Sequence, residues 1–127
     1  MVGHTGNLLA VEISVEATDL SVGRLMKAVK ATKGVMIVTA DHGNADEMFE
    51  VGKDGALKKD KKGNYKPKTS HTLNPVPCYI YDPCDQAHVQ LAEVDEAGIS
   101  NLAATCMNLL GFDAPEDYRP SLISVGS

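Results

Sequence analysis

Tryptophan is absent from the 127 residues, aromatics amount to only 5%, and no apolar run approaches the ~18 residues of a membrane span. The N-terminus has no basic region leading into an apolar one, so nothing there reads as a signal peptide. Basic residues are outnumbered, with 12 Lys and Arg against 17 Asp and Glu and a net charge of −5. That balance excludes a generalised nucleic-acid surface. Cysteine is sparse and odd in number. Cys78, Cys84 and Cys106 are scattered, and Cys106 falls inside a helical pattern. They read as reduced thiols of a cytoplasmic protein, with a Cys78–Cys84 bridge as the alternative. Internal repeats are also missing. Hydrophobic residues make up 43%, enough for a core, in a chain of at most one domain.

The apolar residues that are present carry clear periodicities. Leu8, Val11, Val15, Val22, Leu25 and Val29 recur at three- and four-residue steps, which predicts an amphipathic helix over 8–32. Asn7 or Thr5 suits its start and Gly34 its stop. Val35–Val38 then reads as a fully buried strand, giving the helix-then-strand order of alternating α/β folds. Residues 45–51 fit a short helix. Residues 52–68 change character: seven Lys against two Asp give this stretch +5 and leave −10 on the rest. With three glycines and a proline it reads as an exposed loop or hairpin, able to steer anions. Val76–Tyr81 is a second strand, approached through Pro75 and Pro77. A short strand near 89–91, a helix from about 99 to 110 ended by Gly111, and an extended segment at 122–125 complete the pattern.

Chemistry concentrates in three polar loops. Thr39-Ala40-Asp41-His42-Gly43-Asn44 ends the first strand, and ligands of open α/β sheets bind at the carboxyl ends of strands. Gly43 allows a sharp turn there. His4 precedes the long helix, and His71 follows the lysine stretch just before the second strand. If the two strands are neighbours, Asp41, His42 and His71 converge with His4 at the mouth of one crevice. Imidazole plus carboxylate without thiolate suits Zn²⁺ or Mn²⁺. His88 lacks such a setting.

Three motifs in this order and spacing, Gly3-His4-Thr5-Gly6, Thr39–Asn44 and Thr69-Ser70-His71-Thr72, resemble the C-terminal part of cofactor-independent (2,3-bisphosphoglycerate-independent) phosphoglycerate mutases. Asn101–Thr105, Asn108–Phe112, Ala114–Tyr118 and Pro120–Val125 extend the resemblance over essentially the whole chain. The long insertion after Asn44 is similar to the plant and trypanosomatid type.

The resemblance implies an α/β fold, part of the three-layer alkaline-phosphatase-like sandwich and incomplete in this chain. Residues 1–127 would be the C-terminal portion of the phosphatase-like domain, with 52–68 as its excursion. Two divalent metal ions are implied, Mn²⁺ first, with Mg²⁺, Co²⁺ or Zn²⁺ as substitutes, and no 2,3-bisphosphoglycerate. His4 and His71 would bind one ion, Asp41 and His42 the other. The implied reaction interconverts 3- and 2-phosphoglycerate through a phosphoserine. The family's serine and two further aspartates find no match here, one of them falling just upstream of Met1. The expectation is therefore a chain that begins part-way through a larger protein, is inactive alone, and self-associates or needs the missing N-terminal part. It binds no nucleic acid and no membrane. Alternatives are another phosphoesterase or phosphopentomutase of the same superfamily, or a non-catalytic truncated module.

Overall fold

The computed structural model describes residues 1–126. A 3₁₀ turn at Val2–Thr5 leads into helix α1, Leu8–Ala31. The helix starts where Asn7 Oδ1 accepts the Ala10 N–H at 3.1 Å. It stops through a six-to-one bond from the Gly34 N–H to the Val29 carbonyl, 2.9 Å. The left-handed residue of this stop is Lys33 (φ 54°), not the expected Gly34. The apolar stripe has the predicted spacing, yet Val11 is its only buried member, and Leu8, Val15 and Leu25 are exposed. No helix among the described residues is long and apolar enough to cross a membrane.

Strand β1, Met36–Thr39, pairs with β2, Cys78–Tyr81, as a two-stranded sheet. β1 is half-buried where its sequence suggested full burial. A strand with one neighbour in its sheet keeps its other edge uncovered, so β-branched composition alone does not remove it from solvent. Strands β3, Val89–Leu91, and β4, Ile123–Val125, pair antiparallel, with Val89 opposite Val125 and Leu91 opposite Ile123. Helix α2, Leu102–Leu109, lies against β4.

The chain divides into two compact units, Met1–Leu25 with Val38–Cys78, and Met26–Ile37 with the residues from Tyr79 on. The second unit is centred on polar side chains: Asn101 and Thr105 are its most buried large residues. Asn101 Nδ2 donates to the Pro120 carbonyl and its Oδ1 accepts the Gly98 N–H, 2.8 and 2.9 Å. Thr105 Oγ1 donates to the Asn101 carbonyl and accepts the Leu122 N–H, also at 2.8 and 2.9 Å. Every polar group taken from water here has a partner, as burial requires. All three cysteines are free thiols.

In the first unit the lysine-rich stretch is neither a plain hairpin nor preceded by a helix at 45–51. The Glu50 N–H donates to the Lys66 carbonyl, the Lys66 N–H to Lys58, and the Lys58 N–H to Glu50, each at 2.9 Å. Three extended segments thus pair cyclically, at steps of eight residues. A structural recurrence exists where no repeat was legible. Asp54 and Asp60 cap its turns by accepting the N–H groups of Ala56 and of Lys62 and Asn64. Residues 48–51 are held extended by this pairing, which overrides their helical propensity.

Candidate metal centre

Three loops of the first unit meet around imidazole rings. His4, in the 3₁₀ turn, sets Nδ1 2.7 Å from the Thr69 carbonyl oxygen. A carbonyl only accepts, so Nδ1 carries the proton and Nε2 of the neutral ring presents its lone pair. That Nε2 stands 3.3 Å from His71 Nε2. The His71 ring in turn stacks on His42, with centroids 3.5 Å apart and 14° between planes. His42 Nδ1 lies 3.1 Å from the Gly43 carbonyl oxygen, which fixes the same tautomer. Its Nε2 then faces Asp41 Oδ1 at 3.6 Å. His4, Asp41, His42 and His71 are therefore all brought to one place. His88 belongs to the second unit, where it pairs with Asp85.

The donor chemistry fits a divalent cation. Two nitrogens, each about 2.0–2.1 Å from one tetrahedral ion, stand roughly 3.3 Å apart, the separation His4 and His71 show. His42 Nε2 and Asp41 Oδ1, 3.6 Å apart, make a second pair of donor atoms. Asp41 is 86% exposed and His42 37%, so both side chains are open to solvent. Carbonyls hold the outer nitrogens of His4 and His42, the usual support of a metal-binding imidazole. Among the described residues no group of three or more His, Cys, Asp or Glu is spaced to hold a metal by itself. The chain offers two adjacent pairs of donors.

The loops are locked by contacts that the sequence reading passed over. The Gly43 carbonyl also accepts the Thr72 N–H, 2.9 Å, in an antiparallel bridge between the His42 and His71 loops. Asn44 donates to the Ser70 carbonyl at 3.2 Å, and its Oδ1 occupies the space a Cβ on Gly3 would need. Asn44 thereby touches all three loops. Asp46 Oδ2 accepts from Thr72 Oγ1 and Asn74 Nδ2, 2.8 and 2.6 Å. Hydrogen bonds from Asn74 and Thr72 hold the Asp46 carboxyl below its ordinary value. Glu47 is lowered chiefly by its hydrogen bond and ion pair with Lys68, then by Asn74. The available signal was the polar density itself: Asp46 and Glu47 shortly after His42, and Thr72 and Asn74 shortly after His71.

Comparison with known proteins follows the same residues. A profile of the Metalloenzyme superfamily matches residues 1–114. The Leptospira interrogans (serovar Lai, strain 56601) protein named "Probable 2,3-bisphosphoglycerate-independent phosphoglycerate mutase" is 50% identical over 123 residues, 97% of this chain and 22% of that protein. The 2,3-bisphosphoglycerate-independent phosphoglycerate mutase of Trypanosoma brucei brucei is 49% identical over 126 residues, 98% of this chain and 23% of its own length. A crystal structure of Leishmania mexicana phosphoglycerate mutase at low cobalt concentration superposes with a TM-score of 0.87 at 51% identity, covering 98% of this chain and 23% of that one. The chain thus spans only about a quarter of the length of the curated relatives it matches.

Proposed function

Since the chain belongs to the Metalloenzyme superfamily, we propose that it is the metal-binding C-terminal portion of the phosphatase-like domain of a phosphoglycerate mutase. The parent would interconvert 3- and 2-phosphoglycerate through a phosphoserine in the cytoplasm, as a step of glycolysis, without 2,3-bisphosphoglycerate. The fold is a part of the alkaline-phosphatase-like arrangement. What supports the reading most is the meeting of His4, His42 and His71 on three separate loops, with Asp41 beside His42.

In this reading His4 and His71 hold one divalent ion, Mn²⁺ first, and Asp41 with His42 the other. When bound, such ions lower the pKa of a hydroxyl nucleophile and offset charge on phosphoryl oxygens. This chain's own contribution is orientation. The Thr69 and Gly43 carbonyls hold His4 and His42 as Nδ1–H tautomers, and the Gly43–Thr72 bridge keeps the two loops in register. The serine and two further carboxylates come from polypeptide outside this chain. The exposed Leu9, Ile13 and Leu20 of α1 are covered by that polypeptide or by a second copy, which light scattering on the purified chain distinguishes.

The experiment is a mutase assay with 3-phosphoglycerate and Mn²⁺. The isolated chain gives no turnover, because the nucleophile is missing. The whole protein turns over, and His71→Ala within it abolishes the activity. Full activity of that variant, or turnover by the isolated chain, overturns the proposal.

A further inference from the structure

We propose that Asp46 is a positioning residue that sets the distance between the His42 and His71 loops. The inference deepens the metal-binding reading above and rests on it for its consequence, though not for its geometry. Among the described residues the Asp46 carboxylate bonds to Thr72 and Asn74, and to none of the candidate ligands. Its Oδ2 accepts from the Thr72 hydroxyl, one residue after His71, and from the Asn74 amide, three residues after it. Its Oδ1 lies 2.7 Å from where a Cβ on Gly43 would stand, and Thr72 Oγ1 would collide with that same atom. The carboxylate and the hydroxyl therefore fill the face of Gly43, the residue after His42. Thr72 is buried, with 7% of its surface exposed, so its hydroxyl needs an internal acceptor. Asp46 supplies one from the turn just past the His42 loop.

The direction of the effect follows from connectivity. The Gly43 carbonyl accepts both the Thr72 N–H and the His42 Nδ1 proton. Moving Thr72 away from Gly43 slides His71 off the face of His42 and away from His4 Nε2. Asn74 also donates to Glu47 Oε1 at 2.9 Å, and Glu47 pairs with Lys68. This second branch ties the same corner to the base of the lysine-rich stretch. It bypasses Thr72, so it is the branch whose loss leaves the imidazoles in place.

The test uses the metal-free 127-residue chain in NMR. In Asp46→Ala the Thr72 amide exchanges at least tenfold faster and the cross-peak between the His42 and His71 rings disappears. The Lys58 and Lys66 amides of the cyclic pairing and the amides of α2 remain as in the parent. Asp46→Asn, which keeps an acceptor oxygen for Thr72, restores most of the protection and the cross-peak. Thr72→Val removes the donor from the other side, reproduces Asp46→Ala, and decides the question should Asp46→Ala fail to fold. Glu47→Gln changes Thr72 exchange less than twofold. Zn²⁺ affinity falls at least tenfold in Asp46→Ala and recovers in Asp46→Asn, the size of effect seen for outer partners of metal ligands. Thr72 protection within twofold of the parent in folded Asp46→Ala or Thr72→Val overturns the proposal, as does uniform loss of protection across the chain. A parent chain that takes up no Zn²⁺ defeats the metal reading, while the exchange data still decide the role of Asp46.

Discussion

The histidine loops and the lysine-rich stretch belong to the same unit and are both built mostly of polar residues, yet they are held in opposite ways. The loops are joined across long separations, 65 residues from His4 to Thr69 and 67 from His4 to His71. The lysine-rich stretch closes on itself at steps of eight, through backbone groups of Glu50, Lys58 and Lys66. Local pairing needs little else to be in place, whereas the imidazole cluster exists only when distant segments have already docked. Side chains, with one main-chain bridge between Gly43 and Thr72, specify the first region, and the main chain the second. Mutations should sort accordingly.

The largest effect belongs to His71, the ring that touches both other imidazoles. His71→Ala removes a donor outright, so Zn²⁺ or Mn²⁺ affinity of the chain drops by more than about 100-fold, beyond the roughly 10–100-fold of an outer partner. Titration calorimetry measures it, while the amide protection of Lys58 and Lys66 stays as it was. A parallel loss in the lysine-rich stretch would erase the distinction between the two regions.

Two glycines sharpen it next. Gly43→Ala drives a Cβ into Thr72 Oγ1 and toward Asp46 Oδ1. Relieving that overlap displaces a buried, hydrogen-bonded hydroxyl, at a cost of about 1–3 kcal/mol. Gly55→Ala meets no atom within 4 Å, and only its φ of 79° opposes a side chain. There the expected loss is about 1 kcal/mol, from the left-handed backbone alone. Urea unfolding gives both numbers, and metal affinity falls only in the first.

Much of this was legible in the sequence. The helix from Leu8, the strand after Pro77, the short strands near 89 and 123 and the helix ended by Gly111 follow from periodicity and punctuation, which act over a few residues. The meeting of the four donor residues was expected from their loops at strand and helix ends. What was not legible depends on partners far away in the chain. Residues 45–51 look helical in isolation, and only their pairing with 57–58 and 66–68 makes Met48–Val51 extended. Asp46 looks like one surface acid among 17 until Thr72 and Asn74 arrive beside it. β1 looks like a core strand because composition reports what a strand prefers, not how many neighbours it has.

Acid acts on both regions alike. Asp46 and Glu47 at the histidine loops, and Asp60 in the lysine-rich stretch, all have lowered carboxyl pKa values, Asp60 mainly through the Asn64 N–H. A lowered folded-state value means that the stabilising contribution is fully present above the unfolded carboxylate pKa and is lost as pH falls through the lowered one. Thr72 and Asn64 amide protection should therefore persist to below the ordinary carboxylate range and decline together. Loss of Thr72 protection well above that range, with Asn64 protection intact, would show that Asp46 does not hold the loops.

The smallest effect is expected where a side-chain pair decorates a main-chain framework. Lys58 Nζ and Glu50 Oε2 are 3.2 Å apart, with the side chains 48% and 40% exposed. Water competes for both groups, and ordering two flexible chains offsets most of the Coulomb gain, leaving about 0–1 kcal/mol. Lys58→Ala keeps the N–H that donates to Glu50 and the carbonyl that accepts from Lys66. Unfolding free energy should thus change by less than about 1 kcal/mol, and Lys66 amide protection hardly at all. A loss near the size of Gly43→Ala would mean that charge pairing, not the cyclic main-chain bonds, closes the lysine-rich stretch. The opposition between the two regions would then reduce to a difference in which side chains each one uses.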